Sequence, residues 1–192
     1  MPNRPAAVQT REEPLSELRR HVQVRSFFET DVVLDVHKGV GGFELHERRL
    51  PRPYRKDYDS LEDPMEWPGL FDLSNWKMIG AFDGSTRVGG VVGAFDSTGV
   101  DMLEGRHDLL VLWDLRVSRD ARRRGVGSAL VRAIEAWGRL KECRELKVET
   151  QNTNVAACRF YARQGFRLTQ ANYGAYPELP DEVQLIWRKV VQ

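Results

Sequence analysis

The sequence has few of the residues that bind metals or form disulfides. Its 192 residues include only two cysteines and four histidines, and these form no spaced cluster of the kind that holds structural zinc. No apolar run approaches the roughly 18 residues that a membrane-spanning helix needs. No apolar stretch follows the first charges, so a secretory signal is not expected. We therefore expect a cytoplasmic protein with reduced thiols, no metal and no membrane partner.

Charge of one sign is not in excess either. Lysine and arginine total 29 and aspartate and glutamate total 28, giving a formal net charge of +1. A balance of this kind provides no overall field for nucleic acid or anionic lipid, so nucleic acid is not an expected partner. The length, with 41% hydrophobic residues, fits one globular domain with a full core.

The first half of the chain has weak structural signals. Residues 1–20 are rich in Pro, Arg and Glu and predict a flexible N-terminal tail, with a single domain over residues 21–192. Short β-favouring pieces separated by glycines follow between Val22 and Leu50. The stretch Pro51–Trp67 contains prolines and charges and predicts a loop.

The second half has a clear alternation of strands and helices. An Asp83-Gly84 turn predicts a hairpin, and an apolar stripe at spacings of three and four predicts a long helix after Gly127. The predicted strands are Trp76–Phe82, Arg87–Phe95, Leu109–Val117, Leu146–Thr150, a strand from Phe166 onward and Val183–Val190, with a second helix over Val155–Gln164. This order predicts an α/β (α+β) fold, a mixed sheet with helices on both faces, in which the strands flanking the long helix are parallel.

The junction between Val117 and Ser128 links a predicted buried strand to the first turn of the long helix. That turn has unpaired backbone N–H groups and the positive end of the helix dipole, which together favour an anion. Gly125 and Gly127 leave room for close approach, and the run Arg122–Arg124 adds positive charge. The segment therefore suggests a pyrophosphate site, with a solvated basic helix start as the alternative. It lacks the endings of a P-loop or a dinucleotide-binding turn.

A second segment, Glu149–Phe166, contains the pattern Asn-x-x-Ala-x-x-Phe-Tyr-x-x-x-Gly-Phe. Together with Arg-x-x-Gly-x-Gly from Arg122 to Gly127, it resembles the GNAT superfamily of N-acetyltransferases. The runs Arg52–Tyr58, Trp113–Val117 and Glu182–Trp187 are similar to the streptothricin acetyltransferase subgroup. The resemblance covers about residues 43–188 and implies the GNAT fold, with a central sheet that has splayed parallel strands.

This resemblance implies acetyl-CoA as the cosubstrate and assigns residues to it. The backbone of the strand before the turn would pair with the pantetheine arm, the turn would hold the pyrophosphate, and Asn154 would bind the arm while also capping its helix. The implied cofactor-binding residues are Leu115, Arg116, Val117, Arg122, Arg123, Arg124, Gly125, Val126, Gly127, Ser128, Asn154, Ala157 and Tyr161.

The implied chemistry is direct attack of an amine on a thioester, which needs a base for the ammonium proton and an acid for the leaving thiolate. Tyr161 is the candidate acid, with a half-buried structural role as the alternative. Glu149 and Asp114 are both candidate bases, and Glu149 ranks slightly higher. The four histidines match no motif position and suggest surface or loop roles. Cys158 suggests a packed thiol rather than a nucleophile.

The expected function is acetyl transfer to a primary amine of a small molecule, with a streptothricin-like antibiotic as one candidate acceptor. A protein or peptide acceptor and a non-catalytic acyl-CoA sensor are the alternatives, and a homodimer is compatible with the family. Four aromatic residues are candidates for shaping the acceptor pocket: Tyr54, Tyr58, Trp76 and Tyr173.

Overall fold

The computed structural model describes residues 8–191. Its strands are β1 Gln9–Glu13, β2 Phe27–Gly39, β3 Gly42–Asp57, β4 Lys77–Asp83, β5 Thr86–Phe95, β6 Leu109–Val117, β7 Glu145–Gln151, β8 Arg167–Tyr173 and β9 Val183–Val190. Its helices are α1 Leu18–His21, α2 Trp67–Leu70, α3 Val126–Leu140 and α4 Val155–Arg163.

Seven strands form one mixed sheet in the order β1-β4-β5-β6-β7-β9-β8. The pair β6–β7 is parallel and is connected through α3, as predicted. The other pairs of this sheet are antiparallel. Strands β2 and β3 form a separate two-stranded sheet.

The two faces of the large sheet carry different cores. On one face the apolar stripe of α3, including Val126, Leu130 and Ile134, is buried together with residues of α4. On the other face a cluster rich in tryptophan surrounds Leu18 of α1 and Trp67 of α2. Helices therefore cover both faces, which confirms the predicted fold class.

The parallel strands β6 and β7 separate soon after they begin. They pair only over Leu109–Val111 and Glu145–Lys147, although both strands continue beyond this ladder. From residue 112 onward β6 keeps β5 as its partner on one side, and no strand of the described residues pairs with it on the other. The separation opens a gap inside the sheet, as the resemblance implied.

A β-bulge at Trp113 redirects the side chains of β6 at the start of this gap. Gly93 faces Leu112 and Val92 faces Asp114, so Trp113 is an extra residue without a partner. One extra residue shifts the alternation of side chains between the two faces. Leu110 and Leu112 pack toward α3, and beyond the bulge Leu115 does so instead. Asp114 is thereby turned to the opposite face.

The expected flexible tail is wrong for residues 9–20, whereas residues 1–7 lie outside the described residues. Gln9–Glu13 pairs with β4 as an edge strand, and Leu18 is only 1% exposed. An edge strand tolerates a polar sequence because one side of its ladder faces solvent. The polar composition that predicted a flexible tail therefore belongs to an edge strand, and a helix anchored by Leu18 follows it.

The predicted loop at Pro51–Trp67 is also partly wrong, because β3 extends to Asp57. The pairing of β2 with β3 changes from Val32↔Arg49 to Thr30↔Tyr54. Four residues of β3, including both prolines of that strand, thus lie opposite a single residue of β2. Proline cannot donate to a ladder hydrogen bond, so it is accommodated where the ladder is interrupted.

The anchoring role of α1 can be tested by truncating Leu18. Leu18→Ala should lower the free energy of unfolding by about 3 kcal/mol, since it removes a fully buried side chain and leaves a cavity. Leu140→Ala is the matched control: Leu140 is 80% exposed, so its loss should cost no more than about 0.5 kcal/mol. Urea denaturation measures both, and equal effects would contradict the anchoring of α1.

Candidate active site

A cavity of about 450 Å³ occupies the gap between β6 and β7, and we call it the cleft. It begins where the pairing of the two strands ends and is lined by both strands, α4 and the chain between β3 and α2. The structure brings seven of the predicted site residues together on its walls: Asp114, Leu115, Arg116, Glu149, Asn154, Ala157 and Tyr161. The sheet and α4 thus meet at one place with all three candidate catalytic side chains.

Tyr161 is held in place by the end of α4. Phe166 N–H donates to Tyr161 O at 3.1 Å and Gly165 N–H to Ala162 O at 3.1 Å, the pattern of a Schellman motif. Gly165 supplies the positive φ of +87° that this end requires, and the Phe166 ring packs on Tyr161 at 5.4 Å between centroids. The Gly-Phe of the sequence motif therefore orients the tyrosine.

The Tyr161 side chain is 6% exposed and its hydroxyl has no hydrogen-bond partner among residues 8–191. Burial raises the pKa of Tyr161 above its ordinary value, and the charge of Asp114 adds to this effect. The hydroxyl therefore stays protonated at neutral pH and is available as a donor into the cleft.

Glu149 extends from β7 into the cleft and is held by uncharged donors. Tyr176 Oη donates to its Oε1 at 2.5 Å and Gln184 Nε2 to its Oε2 at 2.7 Å. No lysine, arginine or histidine of residues 8–191 lies within ion-pair distance of it. The carboxylate is thus oriented without being neutralised.

Asp114 is in the opposite situation, because cationic or hydrogen-bonding side chains occupy its carboxylate. Arg116 Nε donates to it at 2.6 Å and His21 Nε2 lies 3.2 Å away. Arg116 is itself also paired with Asp59 at 2.6 Å. Burial alone would raise the pKa of Asp114, but His21 and Arg116 outweigh it and hold the pKa below its ordinary value.

The expectation of a surface or loop role is wrong for His21. This histidine of α1 is 0% exposed and links the N-terminal segment to Asp114. The residues are 93 positions apart, so no local pattern could have indicated the contact.

Asn154 combines the capping role with a polar contact. Its Oδ1 accepts from Ala157 N–H at 3.1 Å, which caps α4, and its Nδ2 donates to Tyr58 Oη at 3.1 Å. Of the four aromatic candidates for the acceptor pocket, Tyr58 lines the cleft. Tyr54 bonds Glu182, Trp76 is buried in the tryptophan-rich core, and Tyr173 is 67% exposed.

The sequence of the chain carries the signature of a known family. The sequence model of the Acetyltransferase (GNAT) family matches residues 43–166. The chain belongs to this family. The match confirms the predicted enzyme class, an acetyl-CoA-dependent N-acetyltransferase.

Several relatives of this acetyltransferase are known. It is 32% identical to the streptothricin acetyltransferase of Escherichia coli over 158 residues, which cover 81% of this chain and 80% of that protein. It is 25% identical to streptothricin acetyltransferase A of Bacillus subtilis (strain 168) over 149 residues, 77% of this chain and 79% of that one.

Solved structures share the fold. A proposed streptothricin acetyltransferase of Bacillus anthracis str. Ames, in complex with acetyl coenzyme A, has a TM-score of 0.78 at 22% identity, covering 97% of this chain and 99% of that chain. A nourseothricin acetyltransferase has a TM-score of 0.74 at 23% identity, covering 97% and 100%. These likenesses confirm the GNAT fold.

The acetyltransferase offers two places that fit acetyl-CoA. From residue 112 onward, the β6 edge that faces the gap has no strand partner in the described part of the chain, so its backbone groups are available to an extended amide-containing arm. At the end of β6, the N-cap of α3 is Gly125 with φ of +82°, and no side chain caps the helix. The first N–H groups of α3 are therefore open to an anion.

The side chains of the turn are more engaged than the sequence suggested. Arg122 donates to the carbonyls of Val117 and Phe27, and Arg124 pairs with Asp83 at 2.6 Å. Arg123 has no hydrogen bond or ion pair within residues 8–191. The turn thus presents mainly backbone N–H groups and one unengaged arginine.

The two residues that follow Val126 serve the contact between α3 and α4. A Cβ on Gly127 would lie 3.0 Å from the Phe160 ring, so its missing side chain permits this close packing. Ser128 Oγ accepts from Gln164 Nε2 at 3.0 Å.

Cys158 and any metal-binding group would be possible sources of other catalytic chemistry. Burial raises the pKa of the Cys158 thiol to about 11, so it is protonated at neutral pH and packed, in agreement with the prediction. Within residues 8–191, no group of three or more His, Cys, Asp or Glu side chains could hold a metal ion, and no helix is long and apolar enough to cross a membrane.

The pairing of Asp114 predicts a structural cost for Asp114→Asn. Losing one partner of a buried pair should lower the free energy of unfolding by about 3 kcal/mol at neutral pH. Because the folded pKa is depressed, this contribution is present above the unfolded value of about 3.9 and is lost as pH falls through the folded value.

Urea denaturation of both proteins at about pH 7 and about pH 3 checks this expectation, since the difference between them should shrink at the lower pH. Asp120→Asn, at an exposed position without an ion pair in the described chain, is the control and should change little. A pH-independent difference for Asp114→Asn would contradict the assignment.

Proposed function

We propose that this acetyltransferase transfers the acetyl group of acetyl-CoA to a primary amine of a small molecule, and that streptothricin is an acceptor. The observation that supports this most strongly is the cleft, where the Glu149 carboxylate and the buried Tyr161 hydroxyl line one cavity. Within residues 8–191, the carboxylate has no cationic partner and the hydroxyl has no hydrogen-bond partner. The acceptor is inferred from the streptothricin acetyltransferase of Escherichia coli, 32% identical over most of both chains.

Glu149 is the proposed base. An amine with an ordinary pKa near 10.4 is almost entirely protonated at neutral pH, so the enzyme must bind the ammonium and then remove its proton. Glu149 is suited to both steps because its partners, Tyr176 and Gln184, leave its charge uncompensated. Asp114 is less suited, because Arg116 and His21 already engage it.

Tyr161 is the proposed acid. After the amine attacks the thioester carbonyl and the carbon–sulfur bond breaks, the leaving thiolate needs a proton. The protonated hydroxyl of Tyr161 lies in the wall of the cleft next to Ala157 and Asn154, one turn or two along α4. A buried donor in this position can stabilise the sulfur and then protonate it.

The size and lining of the cleft support a small acceptor. Its volume of about 450 Å³ lies within the range of roughly 300–1,000 Å³ typical of small-molecule sites. The lining includes the indoles of Trp67 and Trp113 and the carboxylate of Glu62. Aromatic faces and a carboxylate together favour an organic cation.

A thiol-release assay tests the acceptor. With acetyl-CoA present, streptothricin should give saturable release of coenzyme A and a product heavier by one acetyl group. A lysine-containing peptide, matched in concentration, should give release no faster than the reaction without acceptor. Turnover with the peptide alone would replace the small-molecule acceptor by a peptide, and no turnover with any amine would leave a non-catalytic acyl-CoA-binding protein.

Substitution of the two catalytic residues tests their roles. Glu149→Gln and Tyr161→Phe should each lower kcat by about 100-fold or more, the usual contribution of a positioned acid or base. Binding of acetyl-CoA, followed by calorimetry, should persist in both variants because neither loses a backbone contact. Glu178→Gln, at an exposed loop position, is the matched control, and wild-type rates in either catalytic variant would refute that residue's role.

A further inference from the structure

A continuous chain of hydrogen bonds crosses the cleft from the cap of α4 to Glu149. Asn154 Nδ2 donates to Tyr58 Oη at 3.1 Å, and Tyr58 Oη donates to Gln151 Oε1 at 2.6 Å. Gln151 Nε2 then donates to Tyr176 Oη at 3.0 Å, and Tyr176 Oη donates to Glu149 Oε1 at 2.5 Å. Four consecutive bonds therefore end on the proposed base.

The donors and acceptors of this chain fix its direction. A tyrosine hydroxyl has one proton to donate, and Tyr58 uses it on the amide oxygen of Gln151. The amide nitrogen of Gln151 must then face Tyr176, so the oxygen of Tyr176 accepts. The proton of Tyr176 is left to point at Glu149, which as a carboxylate can only accept.

Tyr176 acts in this chain as a donor to Glu149 at neutral pH. Burial raises the pKa of Tyr176 above its ordinary value, and the neighbouring charge of Glu149 adds to this. Its loop between β8 and β9 is anchored nearby, because Glu182 is buried against Lys56 of β3 and accepts from Thr153 at 3.2 Å. The β8–β9 loop, held at its end by Glu182, therefore places the Tyr176 hydroxyl against Glu149.

We propose that Tyr176 is a positioning residue for the acetyl-transfer reaction: its hydroxyl orients the Glu149 carboxylate and donates a hydrogen bond to it. The proposal rests on the proposed function of Glu149 as the base. A hydrogen bond donated to the charged form of an acid stabilises that form. Together with the bond from Gln184 to Oε2, the bond from Tyr176 to Oε1 fixes the orientation of the Glu149 carboxylate.

The other ionisable groups around the cleft are also candidates for setting the pH dependence of the reaction, and most of them are paired. Lys56 of β3 pairs with Glu182 of the β8–β9 loop, and Arg116 pairs with Asp114 on β6. Glu62, from the chain before α2, accepts from Trp67 Nε1 at 2.5 Å. The three tyrosines around the cleft all have raised pKa values: Tyr58, Tyr161 and Tyr176.

The test is the pH profile of kcat/KM for Tyr176→Phe in the full chain, with acetyl-CoA and streptothricin. The acidic limb of the profile should move to higher pH by about one unit, because the ionised carboxylate loses its shortest donor. The KM for acetyl-CoA should stay within about twofold of wild type. Gln151→Met removes the donor behind Tyr176 and also a longer bond of 3.4 Å from Gln151 Nε2 to Glu149 Oε1. It should move the limb in the same direction by a smaller amount, because the short bond from Tyr176 remains.

Tyr173→Phe is the matched control, because it removes a tyrosine hydroxyl from the neighbouring strand that donates to Val36 O outside the cleft. It should leave the limb in place. An unmoved limb in Tyr176→Phe would overturn the proposal, whether activity falls evenly at all pH values or only the KM for the amine rises. The latter result would make Tyr176 a substrate contact.

Glu149→Gln separates this inference from the proposed function. If that variant loses the acidic limb while Tyr176→Phe keeps it unmoved, the base assignment stands and the positioning role fails. If Glu149→Gln keeps both the limb and the rate of wild type, the base assignment fails and the positioning role fails with it. Thermal unfolding of each variant confirms that it is folded in the assay.

Discussion

The separation of β6 from β7 is the constraint on which the rest of the structure depends. The two strands share a ladder of three residues each. Beyond it, one edge of β6 has no strand partner among residues 8–191, although β6 lies in the middle of the seven-stranded sheet. Unpaired backbone groups in a sheet interior are costly unless something satisfies them. The gap therefore leaves backbone groups of β6 available to a ligand, and the bulge at Trp113 together with α4 brings side chains to its walls.

Asp114 and Glu149 both line the cleft, but their hydrogen-bonding partners give them different roles. Asp114 is held by Arg116 and His21, so it joins the N-terminal segment to the sheet. Glu149 is held by Tyr176 and Gln184, neither of which carries charge. A carboxylate with neutral donors keeps its attraction for an ammonium, whereas one paired with a guanidinium has largely lost it.

The parts of the fold that the sequence predicted are those with dense local patterns. The bounds of β6 and β9 match their apolar runs. The stripe of α3 is buried except for Ala133, which is partly buried, and Leu140, which is 80% exposed. Strand β1 was not predicted because a polar edge strand shows no alternation of apolar and polar residues. The roles of Tyr176 and His21 were not predicted because their partners, Glu149 and Asp114, are distant in the sequence. Only the folded sheet brings these side chains together.

Hydrogen–deuterium exchange with and without acetyl-CoA most directly tests the claim that the opened sheet is the binding site. Amides of β6 from residue 112 to 117, and those at the start of α3, should exchange more slowly when acetyl-CoA is bound. Amides of the outer strands β1 and β8 should not change. Protection confined to other segments, or none at saturating acetyl-CoA, would contradict the account.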